Sequence, residues 1–334
     1  MKPKISIIVT IYNREMYIEE CVRSLFEQTL TGIEYIFIDD ASNDNSMEKL
    51  YHTIKLYPHL QSYIKVVQLK KNMGVSNARR EGMSLVTGEF VIHADSDDWV
   101  DRNMYERLYE RAKETEADIV GCNIYHEYSD NRYILQQQYA KSVNENIKRL
   151  INGEIHPSLC TSLIRTELIT NHNITFPEGL NMGEDLFYNL QAFLYANKII
   201  GMDFAPYHYR HTDHSSSFHH NMTTIDSGIK IGQKIEKLMR SCQRYEEFAQ
   251  EIEFRKFSLK MSLVINFDNT NNYHYWLDVF PETHRYIWKF KQLDWKLRIE
   301  LWAAAHHMFP LAKAIKKTLD YQHRLRHLLF AKAT

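Results

Sequence analysis

Phe90-Val91-Ile92-His93-Ala94-Asp95-Ser96-Asp97-Asp98 sets a run of mostly apolar residues directly against three carboxylates within four positions. The apolar half reads as a buried strand, so the acidic half falls at the C-terminal end of that strand. Carboxylates this close repel and raise one another's pKa, and the arrangement persists only where a cation or a ring of donors compensates it. Hard oxygen ligands suit Mg²⁺ or Mn²⁺, and such an ion often bridges protein to a diphosphate, so a nucleotide or nucleotide-sugar is the first ligand to consider. The plainer alternative is an acidic turn that caps a helix starting near Trp99.

Working back from this stretch, the same pattern repeats. Ile5 to Ile11 reads as a buried strand rich in β-branched residues, broken by Asn13-Arg14-Glu15. Tyr17, Ile18, Cys21, Val22, Leu25 and Phe26 then recur at helical spacing. A second strand over Glu34–Ile38 ends in Asp39-Asp40-Ala41-Ser42-Asn43-Asp44, and a helix follows from Ser46 to about Tyr57. A third, Ile64–Leu69, runs into Asn72-Met73-Gly74-Val75 and a helix from Ser76 to about Val86. Alternating strand and helix predicts an α/β fold with a mostly parallel sheet, and such sheets place ligands at the C-terminal strand ends. Further on, the pattern predicts a helix over 102–115, a strand over 117–123, a strand-like stretch over 158–164, and Gly183-Glu184-Asp185 opening a helix from Leu186 to Ala196.

The chain has 334 residues and a net charge of -1, but from Pro281 to Thr334 there are 11 Lys or Arg against 4 Asp or Glu. An acidic body with a basic tail argues against a nucleic-acid binder and leaves room for an anionic membrane surface or an acidic acceptor. Cys21, Cys122, Cys160 and Cys242 make no CxxC pair, so neither a zinc knuckle nor a disulfide framework is indicated and a reducing, cytoplasmic setting is expected. Ile5–Val9 is too short for a signal segment, and no stretch reaches spanning length, so any membrane contact is expected to be peripheral.

From about Asn221 onward helical periodicity dominates. Trp288, Trp295, Trp302 and Phe309 fall seven apart and are expected to share one helix face until Pro310. That stripe serves either core packing or a surface for a membrane interface or a second subunit.

Taken together, Ile5-Ser6-Ile7-Ile8-Val9-Thr10-Ile11-Tyr12-Asn13, Ile38-Asp39-Asp40-Ala41-Ser42, Asn72-Met73-Gly74, Ala78-Arg79, Asp95-Ser96-Asp97-Asp98 and Gly183-Glu184-Asp185 occur in an order and spacing that resembles the family 2 glycosyltransferases. The resemblance covers roughly residues 4 to 220 and does not reach the tail. It implies a GT-A fold over 1–220, a Rossmann-like, mostly parallel sheet flanked by helices, followed by a helical, basic and aromatic C-terminal region over 221–334.

The resemblance also implies roles. Tyr12 matches an aromatic that stacks on the base of a UDP-sugar, with the backbone of Thr10 and Ile11 at the base edge. Asp39 matches the carboxylate that accepts from the uracil imide, Arg79 a basic residue near base and phosphates, and Asp95 the carboxylate that meets the ribose. Asp97 and Asp98 match the residues closest to a Mn²⁺ or Mg²⁺ ion and the diphosphate, where the ion neutralises charge on departing UDP. Asp185 matches the general base, and Glu184 its partner, in an attack that inverts the anomeric configuration. Tyr207-His208-Tyr209-Arg210 and Ser215-Ser216-Ser217 resemble a flexible segment that closes over the diphosphate, with Arg210 clamping phosphate oxygens. His208 is a further candidate metal ligand.

The function so implied is a metal-dependent, inverting glycosyltransferase of the bacterial polysaccharide or lipopolysaccharide type, taking a nucleotide-sugar, UDP-linked, and a glycan or lipid-linked acceptor. It is expected in the cytoplasm or at the inner face of the membrane, with peripheral membrane contact or self-association through the C-terminal region. The alternative is a nucleotide-sugar-binding module without turnover. A dinucleotide-dependent oxidoreductase is excluded at the first βα turn, since Tyr12-Asn13-Arg14-Glu15 offers no G-x-G-x-x-G. A nucleotidyltransferase more often carries a glycine-rich loop with a lysine near the first strand, absent here.

Overall fold

The structure, a computed structural model, describes residues 2–180, 182–211, 222–265, 270–289 and 293–318. It divides into two compact units, Met1–His219 and His220–Thr334.

The first unit is built on strands β1 (Ile5–Ile11), β2 (Ile33–Asp39), β3 (Ile64–Gln68), β4 (Phe90–Asp95), β5 (Trp99–Val100), β6 (Ile119–Gly121), β7 (Ile124–Glu127), β8 (Arg132–Leu135), β9 (Ser162–Arg165), β10 (Ile199–Gly201) and β11 (Tyr207–Arg210). Its helices are α1 (Ile18–Phe26), α2 (Ser46–Lys55), α3 (Val75–Ser84), α4 (Met104–Thr115), α5 (Val143–Asn152), α6 (Thr166–Asn171) and α7 (Glu184–Tyr195). Seven strands form one sheet in the order β10-β6-β9-β4-β1-β2-β3, parallel except where β9 runs against β4 and β6. The smaller sheet has the order β5-β11-β7-β8.

This is the α/β architecture expected from the sequence, and the reason is visible in β1 and β2. Six of the seven residues of β1 and all seven of β2 are buried, as parallel strands covered on both faces require. Ile18, Cys21, Val22, Leu25 and Phe26 form the buried face of α1. The chain winds β1, β2, β3 to one side, then crosses to place β4 on the other side of β1. The strand order therefore reverses between β1 and β4, and an open α/β sheet leaves a crevice at that point.

Several local expectations change. The acidic turn caps no helix at Trp99: Trp99–Val100 pairs with Tyr207 and His208 as a strand, and α4 starts only at Met104. Residues 159–161 are a 3₁₀ turn, with the strand delayed to Ser162. Tyr207–Arg210 lies in a sheet, paired with β5 and β7, where the resemblance implied a flexible segment. Ser215, Ser216 and Ser217 lie outside the described residues.

The second unit is helical, with α8 (Met222–Ser241), α9 (Ala249–Ile265), α10 (Thr270–Asp278), α11 (Trp295–Ala305) and a further helix over 309–318. Its core gathers Ile229, Phe257, Trp276, Ile287, Leu301, Ala304 and Ala312. The seven-residue spacing does not describe one helix, because the N-cap at Asp294 separates Trp288 from Trp295 and α11 ends at Ala305, before Phe309. Trp288, Trp295 and Trp302 are 52%, 60% and 36% exposed, so they are not core residues; Phe309 packs against the core. No described helix is long and apolar enough to cross a membrane.

Since Ile287, Leu301, Ala303, Ala304 and Ala312 belong to this core, ending the chain at residue 280 is expected to unravel the second unit. Limited proteolysis checks it: rapid digestion of 222–280 is the expected outcome, and protection equal to that of the full chain contradicts it.

Candidate active site

A cleft of about 360 Å³ opens at the β1/β4 reversal, with Thr10, Ile11, Tyr12, Asp95, Ser96 and Asp97 on its walls. Strand register brings them together: Thr10 lies opposite Asp95, and Ile11 opposite Asp39. Ser96 Oγ donates to the Thr10 carbonyl at 2.8 Å, and the Asp40 N–H to the Ile11 carbonyl at 2.8 Å. Three strand ends are thereby tied into one rim.

The acidic turn divides its carboxylates between two environments. Asp95 and Asp97 face the cleft. Arg14 Nε meets Asp97 Oδ2 at 3.1 Å, and burial, then the charge of Asp95, raises the Asp97 pKa against the opposing pull of Arg14. Asp98 is 2% exposed and faces away from it: Tyr207 donates its hydroxyl to Oδ2 at 2.7 Å and the Arg210 N–H donates to Oδ1 at 2.8 Å. Burial, followed by the charges of Asp97 and Asp95, pushes Asp98 well above the usual carboxylate range. Asp98 thus anchors the turn to β11, with both oxygens on protein donors.

Arg79 is the hub of the opposite wall. Gly74 opens α3 at φ +85° and ψ 158°, a conformation that favours glycine, and α3 carries Arg79 into a buried position. Its Nη1 donates to Glu184 Oε1 at 2.8 Å and its Nη2 to Asp95 Oδ1 at 3.2 Å. Gly183, at φ +78°, starts α7, so Glu184 and Asp185 both lie in the first helical turn, where the dipole favours negative charge. Burial, reinforced by the charge of Asp185 and opposed by Arg79, pushes Glu184 up to about 7. Asp185 is also raised, chiefly by burial. Its Oδ1 accepts from the Leu186 N–H at 2.7 Å.

The remaining candidates are placed as follows. Tyr12 stands at the mouth, 42% exposed. Asp39 is 2% exposed and off the cleft wall, taking the Ser42 N–H at 3.0 Å and Gln68 Nε2 at 3.3 Å; its neighbour Asp40 lines the cleft and accepts the N–H groups of Met73 and Gly74 at 2.7 and 2.9 Å. Arg210 also lies off the wall, its Nε on the Asp97 carbonyl at 2.9 Å, its Nη2 on Glu20 at 2.5 Å, and its guanidinium over Trp99 and Tyr17. It braces the acidic turn. His208 offers no nitrogen to a metal, since Nδ1 lies 2.7 Å from Glu127 and Nε2 3.2 Å from Asp101. The sequence assigns no individual role to Arg14, Asp40, Tyr207 or Tyr209, although the last three lie in the quoted motifs; a cation two residues past Tyr12 at a strand end is the available signal for Arg14.

No group of three or more metal-ligating side chains occurs among the described residues. Asp95 and Asp97 still fit a Mg²⁺ or Mn²⁺ ion bound together with a diphosphate, because such ions take one or two carboxylates plus phosphate oxygens and water rather than an all-protein cage. Asp98 lies off the cleft wall, with Tyr207 on one oxygen and the Arg210 N–H on the other, and is not grouped with them.

Residues 6–170 match the family described as Glycosyl transferase family 2. The uncharacterized glycosyltransferase EpsJ of Bacillus subtilis is 35% identical over 222 residues, covering 64% of this chain and 63% of that protein. The match therefore spans less than two thirds of the relative's length. The structure of Staphylococcus aureus TarS 1–349 in complex with UDP-GlcNAc aligns with a TM-score of 0.70 at 23% identity, over 96% of this chain and 92% of that one. The mannosyltransferase PcManGT from Pyrobaculum calidifontis, in complex with GDP-Man and Mn²⁺, aligns with a TM-score of 0.54 at 14% identity, over 96% and 88%. These two likenesses concern the fold.

Proposed function

The chain belongs to glycosyl transferase family 2, and from that premise we propose that it transfers a sugar from a UDP-sugar to a hydroxyl of a growing surface glycan or lipid-linked oligosaccharide, inverting the anomeric configuration with the help of Mn²⁺ or Mg²⁺. The work is assigned to the cytoplasm, at the membrane face, with the first unit as the catalytic domain and the basic, helical second unit engaging the acceptor or the membrane.

One observation carries the reading. Arg79 holds Asp95, on the acidic turn, and Glu184, beside Asp185, on a single buried guanidinium. The nucleotide end and the base end of a transfer site are thereby held at a fixed separation, as positioning catalysis requires. Tyr12 offers its exposed ring to the base, Asp95 meets the ribose, and Arg14 with Asp97 meets the diphosphate. A divalent ion bound there supplies charge compensation for the departing UDP. Glu184 is committed to Arg79, so the proton of the attacking hydroxyl is assigned to Asp185.

UDP release from a panel of UDP-sugars with Mn²⁺ tests the activity; release with none favours a binding module without turnover. The pH profile gives a finer check. Burial raises the Asp185 carboxyl above its usual range, and its titration is linked to that of Glu184 beside it. The expected kcat/KM profile therefore falls on the acid side as Asp185 takes up a proton, and this limb moves to lower pH in Glu184→Gln, which removes a neighbouring negative charge. A flat profile down to pH 5 contradicts the base assignment.

A further inference from the structure

We propose that the outer face of the small sheet, formed by Tyr128, Tyr133, His126 and His211 and joined to the cleft by Tyr209, is a platform that binds the carbohydrate of the acceptor. The proposal rests on the transferase reading above and adds to it the place and chemistry of acceptor binding.

The face is built by the β7–β8 hairpin beside β11. Register sets His126 opposite Tyr133, and the Tyr128 N–H closes the hairpin on the Asn131 carbonyl at 2.9 Å. Tyr133 lies flat on His126, with centroids 4.8 Å apart and planes 3° apart; Tyr128 lies flat on His211 at 3.9 Å and 7°. The two tyrosine rings are themselves 5.9 Å apart and tilted by only 22°. Tyr209, a wall residue of the cleft, packs edge-on against both imidazoles at 5.4 and 4.8 Å. An unbroken run of rings thus leads from the cleft to the hairpin.

Two features point to a sugar. Tyr128 and Tyr133 are 39% and 49% exposed although each is held rigid by a stacked histidine. Ordered, exposed, nearly parallel rings match the C–H faces of pyranose rings, which pack flat on aromatics while their hydroxyls stay hydrogen-bonded at the edge. The imidazoles leave this face to ring surface rather than to ions, since His126 Nε2 and His211 Nδ1 are buried. His126 Nδ1 and His211 Nε2 lie 2.7 Å apart, so one ring donates and the other accepts. Burial lowers both imidazoles, His126 to about 4, and keeps the pair uncharged at neutral pH.

Saturation-transfer NMR on the full chain, with a panel of glucose-, N-acetylglucosamine-, galactose- and rhamnose-based trisaccharides, tests the platform. Wild type is expected to give a signal with at least one probe. In Tyr128→Ala/Tyr133→Ala that affinity is expected to fall at least about tenfold, the equivalent of losing one good aromatic contact, with the UDP-induced melting shift unchanged. Tyr128→Phe/Tyr133→Phe keeps both readouts and excludes a folding artefact. No signal on wild type, or equal affinity in the Ala double variant, overturns the platform. If the ring-dependent trisaccharide signal persists while UDP produces no melting shift in wild type, the platform stands and the UDP-sugar reading falls, so the two failures are distinguishable.

Discussion

Asp185→Asn is expected to lower kcat for sugar transfer by about 10²- to 10⁴-fold, the usual contribution of a positioned general base, while UDP affinity stays at the wild-type level. The carboxamide is nearly isosteric, and its Oδ1 keeps the bond from the Leu186 N–H seen at 2.7 Å, so the start of α7 is preserved. What is lost is the oxygen able to take a proton from the acceptor. Glu184 cannot substitute for it, because its carboxylate is held by Arg79 at 2.8 Å and release of that contact leaves a buried cation. Steady-state kinetics on both variants separates the roles. If Glu184→Gln abolishes turnover and Asp185→Asn leaves kcat within a few-fold of wild type, the base is Glu184 and the assignment is reversed.

Arg79→Met is expected to destabilise the first unit by about 3–5 kcal/mol, the range found when one partner of a buried ion pair is removed. Side-chain exposures of 9% for Arg79 and 10% for Glu184 put this pair well below the surface, while Asp95 at 33% is better solvated. Methionine keeps most of the volume and removes the charge, so the loss reflects the uncompensated carboxylates. Glu184, already pushed up to about 7, loses the cation that opposes burial and takes up a proton at higher pH. Stability should then be partly restored in Arg79→Met/Glu184→Gln, a coupling that denaturant melts resolve by a double-mutant cycle. Strictly additive losses contradict the hub.

The sheet was readable because its strands are written as short β-branched runs. Ile5–Ile11 and Phe90–Asp95 are buried on both faces, a requirement met only by continuous apolar sequence. Positions at the strand ends followed, since Thr10 and Asp95 meet through register alone. What could not be read is the direction each carboxylate faces. Asp97 and Asp98 are adjacent in the chain, yet Asp98 is claimed by Tyr207, 109 residues away, and that contact has no local signature. His208 is likewise settled by Glu127 and Asp101 from other strands. The tryptophan spacing misled for a different reason: a period of seven carries no information about the Asp294 cap that starts a new helix between Trp288 and Trp302.

In the proposed function, the cleft at the β1/β4 reversal holds a nucleotide diphosphate together with a divalent ion through Asp97. The most direct test is the melting temperature of the full chain with UDP, with and without Mn²⁺, in wild type and Asp97→Ala. A ligand at 100 times its Kd stabilises by about 2.7 kcal/mol, a shift of several degrees. The expected result is a UDP shift in wild type that grows when Mn²⁺ is added, and in Asp97→Ala a shift that Mn²⁺ does not enlarge. An Mn²⁺-enhanced UDP shift of equal size in both proteins, or no UDP shift in wild type under either condition, contradicts the account.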